Sequence, residues 1–252
     1  MRDLPVALQL FSVRTDMESD FEGTLKRIKA FGYDGVEFAG LFDRSAHDIK
    51  KMCGEIGLMP ISAHVPYNEL LNEESVFKTY ADIGCKYIVI PRANDDCLAG
   101  GERNAEFYKN LIKLGNLANR YGMKLCYHNH NSEFKRFNGV YKLDLMYEAI
   151  SPKLLSTQLD TCWVKISGEN PAEYMRKYAG RIEIVHFKDF IGSGDRFDYR
   201  PIGLGRQDFP SMLRAARELN VKWIVVEQDE PSMGKSPMEC ARLSMNYLKS
   251  VI

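Results

Sequence analysis

Short apolar, β-branched runs recur along the chain: VALQLF (6–11), GVEFA (35–39), PISAHV (60–65), YIVIPRA (87–93), KLCYHN (124–129), LSTQLD (155–160), EIVHFKD (183–189) and WIVVEQD (223–229). Their length and residue types predict strands, and their near-continuous apolarity predicts strands covered on both faces. Between them, apolar residues return with helical spacing. Phe21, Leu25, Ile28 and Phe31 share one face, as do Leu111, Leu114, Leu117, Ala118 and Tyr121; Met212, Leu213, Ala216 and Leu219 mark a third helix, and Met238, Ala241, Met245 and Leu248 the last. Gly32, Gly57, Gly84, Gly122 and Gly180 each follow such a segment and precede a strand, where a left-handed residue ends a helix.

Eight strand-then-helix units within 252 residues, with no linker or composition break, predict a (β/α)8 TIM barrel forming one domain over residues 1–252. A doubly wound open sheet is the structural alternative, but the turn after the first run, FSVRTDMES, carries no glycine-rich dinucleotide fingerprint. In a barrel the chemistry sits at the C-terminal ends of the strands. Those ends carry Gln9 and Phe11, Glu37, His64, Arg92, then His128, His130 and Glu133, Asp160, His186 with Lys188 and Asp189, and finally Glu227 with Asp229.

Of five histidines, only His47 falls in a predicted helix. Taken singly, each strand-end residue reads as a turn or capping group. Four successive strands that each end in a carboxylate or imidazole read together as a site. Glu133, Asp160, His186 and Glu227 offer three carboxylates and one imidazole, a set that suits Mn, Mg or Co and also admits Zn. One divalent ion with open positions would chelate a sugar carbonyl and its neighbouring hydroxyl.

Composition acts mainly by exclusion. Lys plus Arg and Asp plus Glu each number 34, so no net field recruits nucleic acid or an anionic membrane. The apolar N-terminal run is soon interrupted by Arg14 and Asp16, too short for a signal or membrane segment. Six dispersed cysteines without a C-x-x-C pair suit reduced thiols, and the expected location is cytoplasmic. Exposed apolar positions on the outer helices leave room for a homo-oligomer without marking one.

Five segments, HNHNSEF, QLDTCW, VHFKD, PIGLGRQDF and VVEQD, together with LQLFSVR and GYDGVEFAG near the start, resemble the sugar phosphate isomerase/epimerase family of xylose isomerase-like TIM barrels. The resemblance runs over essentially the whole chain, and the family also includes ketose 3-epimerases, inosose dehydratase and endonuclease IV. It implies one divalent metal held by a Glu, Asp, His, Glu quartet. Asp160, His186 and Glu227 match that pattern; the first position goes to Glu133, with His128 as competitor, because many relatives place a Glu where this chain has His128.

The implied reaction is proton transfer beside a carbonyl through an enediolate, with Glu133 and Glu227 as acid/base pair and Lys188 as oxyanion stabiliser. Gln9, Phe11, Glu37, His64, His128, His130, Lys188 and Arg206 are the expected substrate-binding residues, for a sugar or sugar derivative. Isomerisation or epimerisation is the main expectation. Two alternatives stand beside it: a metal-dependent lyase or dehydratase acting on a keto sugar, inosose or oxidised glycoside, and a non-catalytic sugar-binding protein. Residues 190–210, rich in glycine and charge, read as an active-site lid.

Overall fold

The computed structural model describes residues 4–194 and 196–252. Eight parallel strands close into a barrel: β1 (Val6–Gln9), β2 (Gly35–Phe38), β3 (Met59–His64), β4 (Tyr87–Ile90), β5 (Lys124–His128), β6 (Ser156–Asp160), β7 (Ile182–Phe187) and β8 (Trp223–Val226). Neighbours in sequence are neighbours in the barrel, and β1 pairs with β8 to close it. The expected strands are all present, most of them ending before their apolar runs do. β1 stops because the Gln9 side chain caps a 3-10 turn over Leu10–Val13, accepting from the Phe11 N–H. β4 stops before Pro91, which has no N–H to donate to the ladder.

Helices Phe21–Phe31, Ala46–Ile56 and Ser75–Ile83 end at Gly32, Gly57 and Gly84, whose φ angles of 97°, 80° and 116° are the left-handed caps anticipated for them. Asp20, Ser45, Asp208 and Ser236 each accept a backbone N–H in the first turn of the helix that follows. No helix among the described residues is long and apolar enough to cross a membrane.

Alternation along the strands divides the interior. One large apolar cluster lies between barrel and helices. Ala7, Ile61, Tyr87, Val89, Cys126, Ile184, Trp223 and Val225 form a second, separate one that fills the lower barrel. Two residues further along these strands stand Gln9, His128, His186 and Glu227, so the same period of two that builds the apolar plug delivers polar groups to its top. Gly35 makes room for the plug: a Cβ there would lie 2.7 Å from the Met59 carbonyl oxygen and 3.2 Å from the Trp223 ring.

The 190–210 segment is more ordered in its hydrogen bonding than a plain lid. Asp189–Ser193 and Arg196–Arg200 pair as an antiparallel hairpin. The turn after it is tied back to Asp189, whose Oδ1 accepts from Phe190 N (2.9 Å) and Gln207 N (3.1 Å) and whose Oδ2 accepts from Gly203 N (3.0 Å) and Gly205 N (2.8 Å).

Candidate active site

Above the apolar plug lies a layer of buried polar side chains. Glu37, fully buried, accepts from Gln9 Nε2 (2.7 Å), Ser62 Oγ (2.6 Å), Gln158 Nε2 (2.5 Å) and His186 Nε2 (2.7 Å). Burial opposes its charge, but His64 and His186 hold the carboxyl well below the usual carboxylate range. Gln158 Oε1 faces the other way, 2.6 Å from His64 Nε2 and 3.0 Å from His128 Nδ1.

The next layer holds His128, Asp160, His186 and Glu227, whose candidate ligand atoms all lie within 4.8 Å of one another. Burial, with His186 and His64 beside it, pushes His128 far down, so its ring is neutral. A neutral His128 that donates from Nδ1 to Gln158 turns a lone pair on Nε2 toward Asp160 Oδ2, 3.4 Å away. Two acceptors thus face each other in a buried place. Asp160 Oδ2 also accepts no hydrogen bond, although Lys188 Nζ approaches to 3.1 Å as an ion pair. Four donors spaced for one coordination sphere, with a ring lone pair and a carboxylate oxygen facing each other among them, fit a divalent cation. His64, His128 and His186 form a second, overlapping group.

His186 sits between carboxylates, with Nδ1 2.8 Å from Glu227 Oε2 and Nε2 on Glu37. Burial would lower its pKa, but the two carboxylates raise it to about 10. Lys188 is almost fully buried with Nζ 2.8 Å from Glu227 Oε2 and 3.3 Å from Asp229 Oδ1. Burial works against its charge too, yet Asp160 and Glu227 hold it well above the ordinary lysine value, as an ammonium. Burial likewise disfavours the Glu227 carboxylate, and Lys188 and His186 overcome that to hold it well below its usual range.

Over this floor opens a cavity of about 550 Å³. His64, His128, His130, Lys188 and Glu227 give its polar base, and Phe11, Ala39, Val65, Pro66 and Pro91 an apolar wall, with Arg92 and Glu69 at the rim. Phe11 is braced by the Arg14 guanidinium, 4.2 Å from the ring centroid. Trp163 lies behind His130, with 5.3 Å between ring centroids, and meets Phe197 of the hairpin edge-on at 5.5 Å.

A profile of the xylose isomerase-like TIM barrel matches residues 25–251. The chain belongs to that family. Among xylose isomerase-like relatives it is 26% identical to an inosose dehydratase of Clostridium beijerinckii, over 92% of this chain and 90% of that one. A sugar phosphate isomerase/epimerase of Parabacteroides distasonis has the same fold, with TM-score 0.81 and 22% identity over 99% of this chain and 95% of that one. So has an L-ribulose 3-epimerase, with TM-score 0.76 and 15% identity over 98% and 94%.

Within this xylose isomerase-like barrel the expected site residues separate into three groups. Asp160, His186, Glu227 and Lys188 come together as anticipated, and Phe11, His64, His128 and His130 line the cavity. Gln9 and Glu37 are fully buried beneath the floor, where Glu37 touches His186 of the ligand group and Gln9 donates to Glu37.

Glu133 and Arg206 are placed elsewhere. Tyr127 points outward from β5, opposite to Cys126 and His128, and its hydroxyl donates to Glu133 Oε1 at 2.5 Å. Glu133 Oε2 accepts from His130 N (2.9 Å) and Ser132 Oγ (2.8 Å), so this carboxylate staples the exit of β5 on the helix side, and His128 stands in the fourth place of the group. Arg206 donates to the Gly192 carbonyl oxygen (2.7 Å) and braces the hairpin instead of the cavity. Lys188 pairs with Asp160, Glu227 and Asp229, while Asp189 spends its oxygens on backbone N–H groups. Ser62 and Gln158 belong to the site although neither carries a charge to announce it. Their signal is positional, since both precede by two residues an inward-facing group, His64 and Asp160.

Proposed function

We propose that the cavity dehydrates a polyol ketone of the keto-sugar or inosose type, abstracting the proton beside the carbonyl and expelling the hydroxyl one carbon further on. The observation that carries this reading over epimerisation is the displacement of Glu133 to the outer side of β5, which leaves Glu227 and Asp229, both just past the end of β8, as the inner carboxylates of the cavity, with the Lys188 ammonium 2.8 Å and 3.3 Å from them. Inverting one carbon needs an acid/base group on each face of the substrate. Glu227 and Asp229 leave the same strand end and share the Lys188 ammonium, so together they offer one such face. Supporting the same reading, the relative from Clostridium beijerinckii is named inosose dehydratase.

His128, Asp160, His186 and Glu227 would hold the cation. Two imidazoles and two carboxylates favour Mn, Co or Zn over Mg. When bound, the ion withdraws charge from the substrate carbonyl. Glu227 takes the proton from the adjacent carbon. Lys188 lies beside the negative charge that develops on oxygen and stabilises it, and its ammonium can supply the proton that leaves with the hydroxyl as water. Phe11 and the prolines exclude water from one side of the ring.

The test is incubation of metal-loaded protein with keto-polyols in deuterated water, following product mass and stereochemistry. Loss of water is the expected result. Exchange of one C–H for deuterium with an epimer as the sole product would instead establish epimerisation.

A further inference from the structure

Two irregularities of strand register lie directly under the candidate ligands. Between β2 and β3 the pairing skips Ile61, so Glu37 stands opposite Ser62; between β6 and β7 it skips Glu183, so Gln158 stands opposite Ile184. A bulge re-aims the side chains around it. Here the two skips bring Ser62 onto Glu37 Oε2 and set His186 level with Asp160. Glu37 and Gln158 then meet across the barrel although they are 121 residues apart.

The chemistry of that contact is directional. An ionised carboxylate only accepts, so Gln158 must give Glu37 its NH₂ group and turn its oxygen to the histidines. That oxygen, in turn, requires a hydrogen on His128 Nδ1 and on His64 Nε2. Glu37 Oε1 requires a hydrogen on His186 Nε2. The ring nitrogens left for a cation are Nε2 of His128 and, once a bound cation replaces its second proton, Nδ1 of His186, which face Asp160 and Glu227.

We infer that Glu37 is a positioning residue that fixes His128 and His186 in opposite tautomers, acting directly on His186 and through Gln158 on His128, so that both present a lone pair to one cation. The inference rests on the metal reading of this site. Glu37 and Gln158 are fully buried and absent from the cavity lining, so they act through the ligands and not on substrate. Partners of this kind beneath a ligating histidine set its tautomer and typically account for about 10–100-fold in metal affinity.

The experiment is Zn(II) titration by competition with a chromophoric chelator, paired with long-range ¹⁵N–¹H spectra of the Zn(II)-loaded protein. Wild type should show His128 protonated at Nδ1 and His186 at Nε2. Glu37→Gln frees Gln158 to flip, and Gln158→Glu sets two carboxylates together; each should weaken Zn(II) binding by about 10–100-fold. The exchanged pair, Glu37→Gln with Gln158→Glu, again offers an acceptor to every histidine N–H and should recover most of the affinity, which mere loss of packing would not allow. Wild type that binds no Zn(II) removes the metal reading itself. Wild type that binds, with either tautomer reversed, with single variants as tight as wild type, or with an exchanged pair no tighter than the singles, overturns the role of Glu37 and leaves the metal site standing. The wild-type spectrum decides the matter even if a variant fails to fold.

Discussion

Asp189→Asn offers a quantitative test of how the segment after β7 is held. Each carboxylate oxygen of Asp189 accepts two backbone N–H groups, and an amide replaces one oxygen by a donor, so two of these four N–H groups lose their acceptor. Hydrogen bonds to a charged group contribute about 1.5–3 kcal/mol each, which sets the loss at about 3–6 kcal/mol. The turn at 203–207 is partly exposed, so water re-satisfies the freed groups once it opens, and the lower end, about 3 kcal/mol, applies. At about 1.4 kcal/mol per factor of ten, the amides of Gly203, Gly205 and Gln207 should exchange about 100-fold faster, while amides of the barrel strands keep their protection. Gly205→Ala should do the same from the other side, because a Cβ there would lie 2.2 Å from Asp189 Oδ1. Because Gln207 Nε2 also donates to the carbonyl oxygens of Thr161 (3.1 Å) and Lys188 (3.4 Å), the loosened turn should lower turnover as well. Hydrogen exchange followed by mass spectrometry reads the segment directly. An increase under tenfold at 203–207 would refute the idea that Asp189 is what holds it.

Glu227→Gln should cost about 10²–10⁴-fold in turnover while a substrate analogue still binds, and survival of both would transfer the base role elsewhere. Glu133→Gln should keep the metal content of wild type, because its oxygens serve Tyr127, His130 and Ser132, and should lower the melting temperature instead; loss of metal on that substitution would restore Glu133 as a ligand. Gly35→Ala should destabilise by about 1–3 kcal/mol through overpacking against Met59 and Trp223, measured by urea unfolding, and an unchanged midpoint would contradict the tight plug. All six cysteines are free and buried, and burial alone raises Cys53 to about 11, so a thiol reagent should label native protein slowly and all six sites quickly in denaturant; rapid native labelling would show an exposed thiol.

The barrel was legible because its signal is repetitive. Each strand is an apolar run of the right length, and Gly32, Gly57 and Gly84 sit at left-handed caps that disfavour other residues. Asp160, His186 and Glu227 were legible because each lies on, or one residue past, a strand with inward parity. Glu133 was misplaced because it lies beyond the strand, where parity no longer applies, and the outward-facing Tyr127 captures it. Glu37 and Gln9 were assigned one layer too high, since sequence records which face a residue takes but not how far up the barrel it stands. Gln158 escaped notice as a neutral amide, and the skips at Ile61 and Glu183 depend on the neighbouring strand, which no single segment records.

The polar layer under the cavity has a further consequence for how the protein comes into being. Its contacts join Glu37 to residues 121 and 149 positions away, while the β1–β8 pairing that closes the barrel joins the two ends of the chain. No contiguous half of the polypeptide contains the floor of the site, and loop-closure entropy places such distant contacts late in folding. The buried polar layer is therefore completed only as the barrel closes, and the finished barrel is the template on which its hydrogen bonds are assembled.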